Sequence, residues 1–404
     1  MKILYFCNEY YCRYGARTHA REFVAALRER ADVETVDVCN EARLLGRADR
    51  GSPANGTAAA TAVVPAAGSR LQRWRRLVAF FLPRRTLTER LAQHIAQSDY
   101  DVLLIRANTR LPRLSYLKKR FPRLLLYLEV NTIYFVEDFH DIPWRSLWRR
   151  WEMRRYRCAD GVMVVSSWLK TSLVAAGIAE EKILVNANGV NLARFNTTVD
   201  DGAVRRRLDV SGQALVLGYV GGMERFRRLP EVIAAVAKVR ERVSRDIVFL
   251  VIGDGEDSVR VRERAAAVDP AGRWLRLPGW VDYEQVPAYV KMFDIAIFPF
   301  TNPYCSPIKL FEYLGVAKAV IGPRTPAVTD VFRDGEHLLL VEQDGSDLES
   351  CLERLIEDAS LRRALAERGH ALVTGYYTWA DNARRLVEAL QRRRADGAST
   401  YVPC

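Results

Sequence analysis

The sequence contains no apolar stretch that approaches the roughly 20 residues needed for a membrane-spanning helix. Its first seven residues are apolar for too short a run to form a signal peptide, and they fit a first buried strand better. Neither a G-x-G-x-x-G nor a G-x-x-x-x-G-K-[ST] motif occurs, so a dehydrogenase or a P-loop enzyme has no support. The pattern favours a cytoplasmic α/β protein.

Cysteine usage also excludes several classes of site. The seven cysteines are scattered, are odd in number and contain no C-x-x-C pair. This spacing predicts neither a disulfide framework nor a zinc site, and it suits a reducing compartment. We therefore expect no metal ion.

Positive charge is concentrated in the first half of the chain. Residues 1–195 contain 32 Lys and Arg against 19 Asp and Glu, whereas the remainder contains 29 against 30. The whole excess of positive charge, +12, therefore lies in the first half. Its cause has to be sought in the molecules that this half contacts.

Strand and helix patterns alternate in two series, which predicts parallel sheets covered by helices on both faces. At 404 residues the chain exceeds what one core usually serves, so two Rossmann-like domains are expected. A stretch rich in Ala, Gly, Thr and Pro predicts a flexible insert in the first domain. The expected parts are a first domain over 1–195 with its insert at about 46–69, a second domain over 205–375, and a C-terminal helix and tail over 376–404.

One segment predicts a nucleotide-diphosphate site. SPIKLFEYLG, residues 306–315, stands between two apolar runs typical of buried strands and predicts a helix with Pro307 in its first turn. The free N–H groups of that turn suit an anion. Lys309 and Glu312, three residues apart, share one helix face, where an ammonium group suits a phosphate and a carboxylate suits ribose hydroxyls.

This segment resembles the retaining GT-B glycosyltransferases, in particular the family 4 group. Four further parts of the chain resemble the same family, in the same order. They are residues 165–170 with 182–195, 219–228, 251–256 and 277–281. The resemblance implies a GT-B fold with two domains facing a cleft, a C-terminal helix that packs back on the first domain, and sugar transfer with retention of configuration from a UDP- or GDP-type donor, without metal or other cofactor.

The resemblance also implies site residues. Arg227 and Lys309 would act on the diphosphate during catalysis and Glu312 would bind the ribose. The full donor-binding set is Gly15, Gly222, Arg227, Arg228, Gly253, Gly279, Ser306, Ile308, Lys309 and Glu312. Two positions depart from the family pattern: Tyr304 stands where a first glutamate is usual, and Arg228 where a small residue is usual.

Acceptor recognition is expected in the first domain. Many relatives carry a His in the loop after the strand matching residues 124–128, and Asn131 is the equivalent here, with Glu129 nearby. His140 is a further candidate, although an isolated His is more often structural. The implied acceptor is a glycan, a lipid-linked sugar or a small molecule.

Two segments combine clustered Arg with Trp or Phe, residues 70–85 and 144–157. Such a mixture suits an interfacial helix on an anionic membrane surface. Nucleic acid is the competing partner, and inward-packed Trp with solvated Arg is the structural alternative. The resemblance favours a peripheral membrane contact at the inner face over nucleic acid, because many relatives use lipid-linked acceptors.

Two other functions remain compatible with the sequence. A nucleotide-sugar 2-epimerase shares the two-domain architecture and needs no acceptor. A non-catalytic GT-B scaffold is favoured by Tyr304 and by the missing His. It would bind nucleotide without turnover.

Overall fold

The computed structural model describes residues 1–11, 15–46, 85–107, 111–133, 145–210 and 212–395. The expected insert beyond Gly46, the basic segment before Arg85, His140 and the last nine residues lie outside these ranges. The chain divides into two compact units, Met1–Ala187 with Ala380–Cys404, and Asn188–Trp379. The expected boundary at 195 falls inside the second unit.

The first unit contains a six-stranded sheet in the order β2-β1-β3-β4-β5-β6, and every neighbouring pair is parallel. Its strands are almost wholly apolar, as is usual where helices cover both faces of a sheet. The strands are β1 (Lys2–Phe6), β2 (Thr35–Cys39), β3 (Val102–Arg106), β4 (Leu125–Val130), β5 (Gly161–Val164) and β6 (Ile183–Val185).

The helices of the first unit follow the strands in the manner of βα repeats. They are α1 (Gly15–Arg28), α2 (Glu41–Leu44), α3 (Arg85–Ala96), α4 (Leu114–Arg120), α5 (Arg145–Arg157) and α6 (Ser167–Ala175). Short 3₁₀ turns cover Glu9–Tyr11 and Glu180–Lys182.

The second unit contains a second parallel six-stranded sheet, in the order β12-β11-β10-β7-β8-β9. Read from β9, this is the doubly wound order 3-2-1-4-5-6, whose topological switch point lies between β7 and β10. The strands are β7 (Leu215–Val220), β8 (Ile247–Ile252), β9 (Leu275–Gly279), β10 (Ile295–Ile297), β11 (Ala319–Pro323) and β12 (Leu339–Val341).

The remaining helices belong to the second unit, except the last, which runs into the first. They are α7 (Gly202–Leu208), α8 (Leu229–Arg242), α9 (Ser258–Val268), α10 (Val286–Met292), α11 (Ile308–Gly315), α12 (Pro326–Thr329), α13 (Leu348–Glu357), α14 (Ala359–Tyr376) and α15 (Trp379–Ala395). No helix in the described part of the chain is both long enough and apolar enough to span a bilayer.

The last helix is attached to the first unit through buried amides. Asn186 Nδ2 donates to the Asn382 carbonyl at 3.0 Å, and Asn382 Nδ2 donates to the Ala187 carbonyl at 2.7 Å. Both Asn side chains are buried, so each bond satisfies a polar group that would be costly to leave unpaired.

The expected α/β class with two Rossmann-like domains is confirmed. Three local details differ from expectation. The short strand β12 was not predicted, because three apolar residues are too few to show the alternation typical of a strand. Helix α7 lies in the polar stretch expected to be a plain crossover. Pro307 is the N-cap of α11 and precedes its first turn.

Candidate functional site

Arg227 lies at the switch point of the second sheet. It belongs to the 3₁₀ turn Arg225–Arg227, which follows β7. Its guanidinium donates to the Phe300 carbonyl at 3.2 Å and to Thr301 Oγ1 at 2.9 Å, both just beyond β10. The ring of Phe298 lies 4.4 Å from its central carbon. Since ligands of doubly wound sheets bind at this point, Arg227 is the cation best placed to meet an anionic ligand.

Arg227 is held in a fixed position with its charge intact. Burial disfavours the charged guanidinium, but Tyr219 and Glu224 outweigh this, so the pKa of Arg227 is raised from its ordinary value. Its nearest carboxylate is Glu224, with Oε2 3.4 Å from Nε. The two shortest hydrogen bonds of Arg227 go to neutral oxygens, and its one carboxylate contact described here is longer.

Close backbone contacts bring the ends of three strands together. Gly253 adopts φ +136°, and a Cβ there would lie 1.9 Å from the Gly221 carbonyl oxygen, so only glycine fits. The Gly253 amide donates to the Gly279 carbonyl at 2.9 Å. A Cβ at Gly222 would meet the flexible Glu224 carboxylate at 2.2 Å. These glycines align the loops that follow β7, β8 and β9.

Trp280 directly follows Gly279 and is 57 % exposed. Sequence reasoning assigned the loop at Gly279 but did not single out this side chain. An aromatic residue beside a glycine at the carboxyl end of a strand was the available signal.

Helix α11 begins at the carboxyl edge of the same sheet. The amides of Ile308 and Lys309 open the helix and have no intrahelical acceptor. Ser306 is fixed just before them, because its carbonyl accepts from Asn188 Nδ2 at 2.6 Å and its Oγ accepts from the Asn188 amide at 3.2 Å. The helix N-terminus is thus anchored and its first amides remain available to an anion.

Lys309 and Glu312 lie on one face of α11, at the spacing that sequence reasoning used. Lys309 Nζ donates to Glu312 Oε2 at 2.6 Å. The other oxygen, Oε1, accepts from the hydroxyl of Tyr283 at 2.8 Å. Glu312 is 1 % exposed, so its carboxylate is a buried, doubly hydrogen-bonded group. Tyr283 lies 29 residues away in sequence, and no local pattern pointed to it.

The buried phenol of Tyr313 connects these charges. Its hydroxyl accepts from the Val220 amide at 2.9 Å, at the end of β7. Burial raises the pKa of Tyr313 well above its ordinary value, and among the smaller causes Glu312 raises it while Arg227 lowers it. The Tyr313 hydroxyl therefore joins the end of β7, which precedes the turn of Arg227, to the helix that carries Lys309 and Glu312.

Arg228 has a different environment from Arg227. Its backbone adopts φ +51°, the left-handed region that favours glycine. Its guanidinium donates to the carbonyls of Gln343 at 3.0 Å and Asp344 at 3.2 Å and lies over the Phe300 ring. This conformation favours the small residue that the resemblance implies at this position.

Gly15 stands apart from the other predicted donor residues. It begins α1 in the first unit, whereas all the others belong to the second. Within the described residues, no group of three or more His, Cys, Asp or Glu is arranged to hold a metal ion.

Glu129 is the centre of a buried network at the carboxyl end of β4. Its Oε1 lies 2.7 Å from His19 Nε2, 2.5 Å from an Arg106 nitrogen and 2.8 Å from Asn131 Nδ2. Its Oε2 accepts from the Tyr5 hydroxyl at 2.5 Å. The predicted pair Glu129 and Asn131 are thus in direct contact, and three unpredicted side chains complete the network.

This network keeps Glu129 ionised. Burial raises the pKa of Glu129, but Arg106 and then His19 outweigh burial, so the pKa lies well below its ordinary value. Burial also raises the pKa of Tyr5. Arg106 carried one signal in the sequence, since a charged residue ending an apolar strand is unusual.

Helix α5 presents a basic surface. Arg149, Arg150 and Arg154 are exposed, and Leu147 is 57 % exposed beside them. On the opposite side burial raises the pKa of Glu152 to about 7. The exposed side combines positive charge with one large apolar residue.

Two family models match the chain. Residues 14–194 match the model described as Glycosyltransferase Family 4, and residues 214–358 match the model described as Glycosyl transferases group 1. The chain therefore has the GT-B fold, and a glycosyltransferase model resembles each of its two units. The matches cover both units, and the fold agrees with them.

Relatives and solved structures agree. An uncharacterized glycosyltransferase of Methanocaldococcus jannaschii is 20 % identical over 238 residues, 59 % of each chain. The lipopolysaccharide core biosynthesis glycosyltransferase LpsE of Rhizobium meliloti is 25 % identical over 175 residues, 43 % of this chain and 49 % of LpsE. The chain thus matches about half the length of these relatives.

The crystal structure of Anabaena HepE in complex with UDP-glucose is similar over nearly the whole chain. The similarity covers 97 % of this GT-B chain and 100 % of HepE, with a TM-score of 0.70 and 15 % identity. At this identity the likeness establishes the fold.

Proposed function

We propose that this GT-B chain transfers a sugar from a UDP- or GDP-type nucleotide sugar to an acceptor, with retention of configuration and without a metal ion. The observation that carries the proposal is the pair of cations, Arg227 and Lys309, at the carboxyl edge of the second sheet beside the open amides of α11. The UDP-glucose complex of HepE supports the donor class.

The proposed chemistry uses charge stabilisation. As the bond to the sugar breaks, negative charge grows on the departing diphosphate. Arg227 and Lys309 would stabilise it, together with the amides of Ile308 and Lys309 at the helix N-terminus. Ser306 would fix the approach of the chain to the phosphates. Arginine offers two parallel donors to a phosphate, which favours Arg227 as the main contact.

The rest of the donor is assigned to the neighbouring loops. Glu312 would accept hydrogen bonds from the ribose hydroxyls. The loops at Gly253 and Gly279 would bound the base, and the exposed ring of Trp280 offers a surface on which a base can stack. The role of Gly15, which begins α1 of the first unit, stays a prediction.

The acceptor is assigned to the first unit, through Glu129 and Asn131. The Glu129 carboxylate holds the amide of Asn131, and Asn131 would make the contact. His140 stays a prediction. A glycan or lipid-linked acceptor is supported by the similarity to LpsE, which acts in lipopolysaccharide core biosynthesis.

A thermal-shift screen against UDP, GDP, ADP and their common sugar conjugates tests the donor class. A ligand at 100 times its dissociation constant stabilises by about 2.7 kcal/mol, which is readily seen. A shift with one diphosphate supports the site around Lys309 and Glu312. No shift with any of them, with or without candidate acceptors and anionic lipid, contradicts it.

Tyr304 favours one alternative, a nucleotide-binding GT-B scaffold without turnover. Where relatives carry a first glutamate, the Tyr304 hydroxyl accepts from Asn302 Nδ2 at 2.8 Å. Release of nucleoside diphosphate from nucleotide sugar separates the two functions. Binding without release in the presence of acceptors favours the scaffold.

We also propose that α5, within residues 144–157, contacts an anionic membrane surface at the cytoplasmic face. Its exposed Arg149, Arg150 and Arg154 supply the charge, and Leu147 supplies an apolar contact. Sedimentation with anionic liposomes at low salt tests this, and absence of binding contradicts it.

A further inference from the structure

The carboxylate of Glu312 is oriented by a second residue. Lys309 is its neighbour on the same helix, but Tyr283 comes from the turn between β9 and α10. A carboxylate offers about four lone-pair positions, and these two bonds occupy one on each oxygen. One position on each oxygen is left for a ligand, and the two bonds decide where those positions point.

Tyr283 is itself held firmly. Its ring lies 5.9 Å from the ring of the fully buried Phe195 and 5.8 Å from the guanidinium carbon of Arg194. Its carbonyl accepts from the Val286 amide at 3.2 Å, at the start of α10. Because ring and backbone are both fixed, the hydroxyl is directed at Glu312 before any ligand binds.

Helix α11 packs tightly against the chain around Phe195, whose ring contacts the ring of Tyr283. A Cβ at Gly315 would lie 3.0 Å from the Phe195 carbonyl oxygen and 2.8 Å from a Val190 methyl group. Glycine at this position therefore allows α11 to approach the chain around Phe195. The ring of Tyr283 packs against the same Phe195.

We propose that Tyr283 is a positioning residue for binding of the nucleotide ribose. Its hydroxyl holds Glu312 Oε1, so that the carboxylate can accept hydrogen bonds from both ribose hydroxyls and does not rotate to give both of its oxygens to Lys309. Without that bond, Glu312 has only Lys309 as a partner among the groups described above. The ion pair would then compete with the ribose hydroxyls for the carboxylate oxygens. This inference rests on the proposed function, in which Glu312 binds the ribose.

The test compares Tyr283→Phe with Glu312→Ala by calorimetric titration of UDP and GDP and of their 2′,3′-dideoxy forms. We expect Tyr283→Phe to weaken UDP or GDP binding by about threefold to tenfold, the range for one hydrogen bond. The same substitution should leave binding of the dideoxy nucleotide unchanged, because that ligand lacks the hydroxyls that Glu312 would accept.

The matched control is Tyr289→Phe. Tyr289 is a buried tyrosine of α10 whose hydroxyl accepts from Arg207, so it loses a comparable hydrogen bond in the same unit. This variant should bind both ligand forms as the unchanged protein does. Thermal unfolding without ligand shows whether each variant is folded.

The outcomes separate the two proposals. If Glu312→Ala binds the nucleotide normally, or if the unchanged protein binds neither nucleotide, the proposed function loses its ribose site. If Glu312→Ala weakens binding but Tyr283→Phe does not, the positioning role is wrong. It is equally wrong if Tyr283→Phe weakens the ribose and dideoxy forms alike, since a merely structural loss would do that.

Discussion

An arginine lies at the carboxyl edge of each sheet, but the two arginines differ in how their charge is paired. In the first unit, Arg106 lies 2.5 Å from the buried carboxylate of Glu129. In the second, Arg227 donates to Thr301 and to a carbonyl, and its nearest carboxylate, Glu224, is 3.4 Å away and partly exposed. Arg106 ends β3 and Arg227 lies in the turn after β7, and both strands stand next to a topological switch point.

The difference separates a structural cation from one that can bind a ligand. Arg106 is neutralised inside the protein, so its ion pair fixes the edge of the first sheet. Arg227 is held mainly by two neutral oxygens, and its ion pair with the partly exposed Glu224 is longer, so its charge is less fully neutralised. Two arginines at similar places in similar folds therefore have different expected roles, and substitution should reveal them as a loss of stability in one unit and a loss of ligand binding in the other.

Glu129→Gln should have the largest effect on stability. It leaves Arg106 buried without its counter-ion, and breaking such a pair costs about 3–5 kcal/mol. Chemical denaturation measures the loss. The control is Glu9→Gln, since the Glu9 carboxylate lies 3.9 Å from Arg106 and should contribute below about 1 kcal/mol. If Glu129→Gln and Glu9→Gln lost the same free energy of unfolding, the ion pair of Arg106 with Glu129 would not have the structural role assigned to it.

The same network predicts an acid dependence. Because the folded-state pKa of Glu129 is lowered, its contribution to stability is present above the unfolded-state pKa of about 4.3 and is lost as the pH falls below it. Unfolding free energy measured from pH 6 to pH 3 should fall more steeply in the unchanged protein than in Glu129→Gln. Parallel curves would show that Glu129 is not the titrating group.

Arg227→Ala should lower stability by only about 1–2 kcal/mol, through the loss of its hydrogen bonds, but remove function. Loss of a preorganised donor to developing charge typically lowers turnover by roughly 100- to 1,000-fold. Release of nucleoside diphosphate from the donor measures it. Arg225→Ala removes an exposed arginine from the same 3₁₀ turn and should retain activity. A similar loss in the two variants would mean that the turn, not the guanidinium of Arg227, matters.

A further comparison concerns exposed arginines on one helix of each unit. Arg149→Ala with Arg150→Ala should weaken binding to anionic liposomes by about 30-fold, at roughly 1 kcal/mol for each basic residue near the membrane. The same change at Arg262 and Arg264, which are exposed on α9 of the second unit, should have no effect. If both pairs of substitutions weakened liposome binding equally, the net charge of the protein, and not helix α5, would be what the liposomes attract.

Much of this arrangement was predictable from sequence because it depends on local patterns. Apolar strands alternating with helices predicted both sheets, and the spacing of Lys309 and Glu312 predicted that they share one face of a helix, where the structure shows them in contact. Contacts between distant segments were not predictable in this way. Tyr5 meets Glu129 across 124 residues, and Tyr283 meets Glu312 across 29, and neither pairing leaves a periodic trace.

The smallest predicted effect distinguishes Arg228 from its neighbour. Arg228→Gly relieves a left-handed conformation that costs a side-chain residue about 1 kcal/mol, and it removes hydrogen bonds to two loop carbonyls worth a similar amount. Stability should therefore change by less than about 1 kcal/mol, as thermal unfolding will show. Nucleotide affinity should fall only about twofold to threefold, because the guanidinium is already engaged with Gln343 and Asp344. A loss as large as that of Arg227→Ala would show instead that the two arginines bind the diphosphate together.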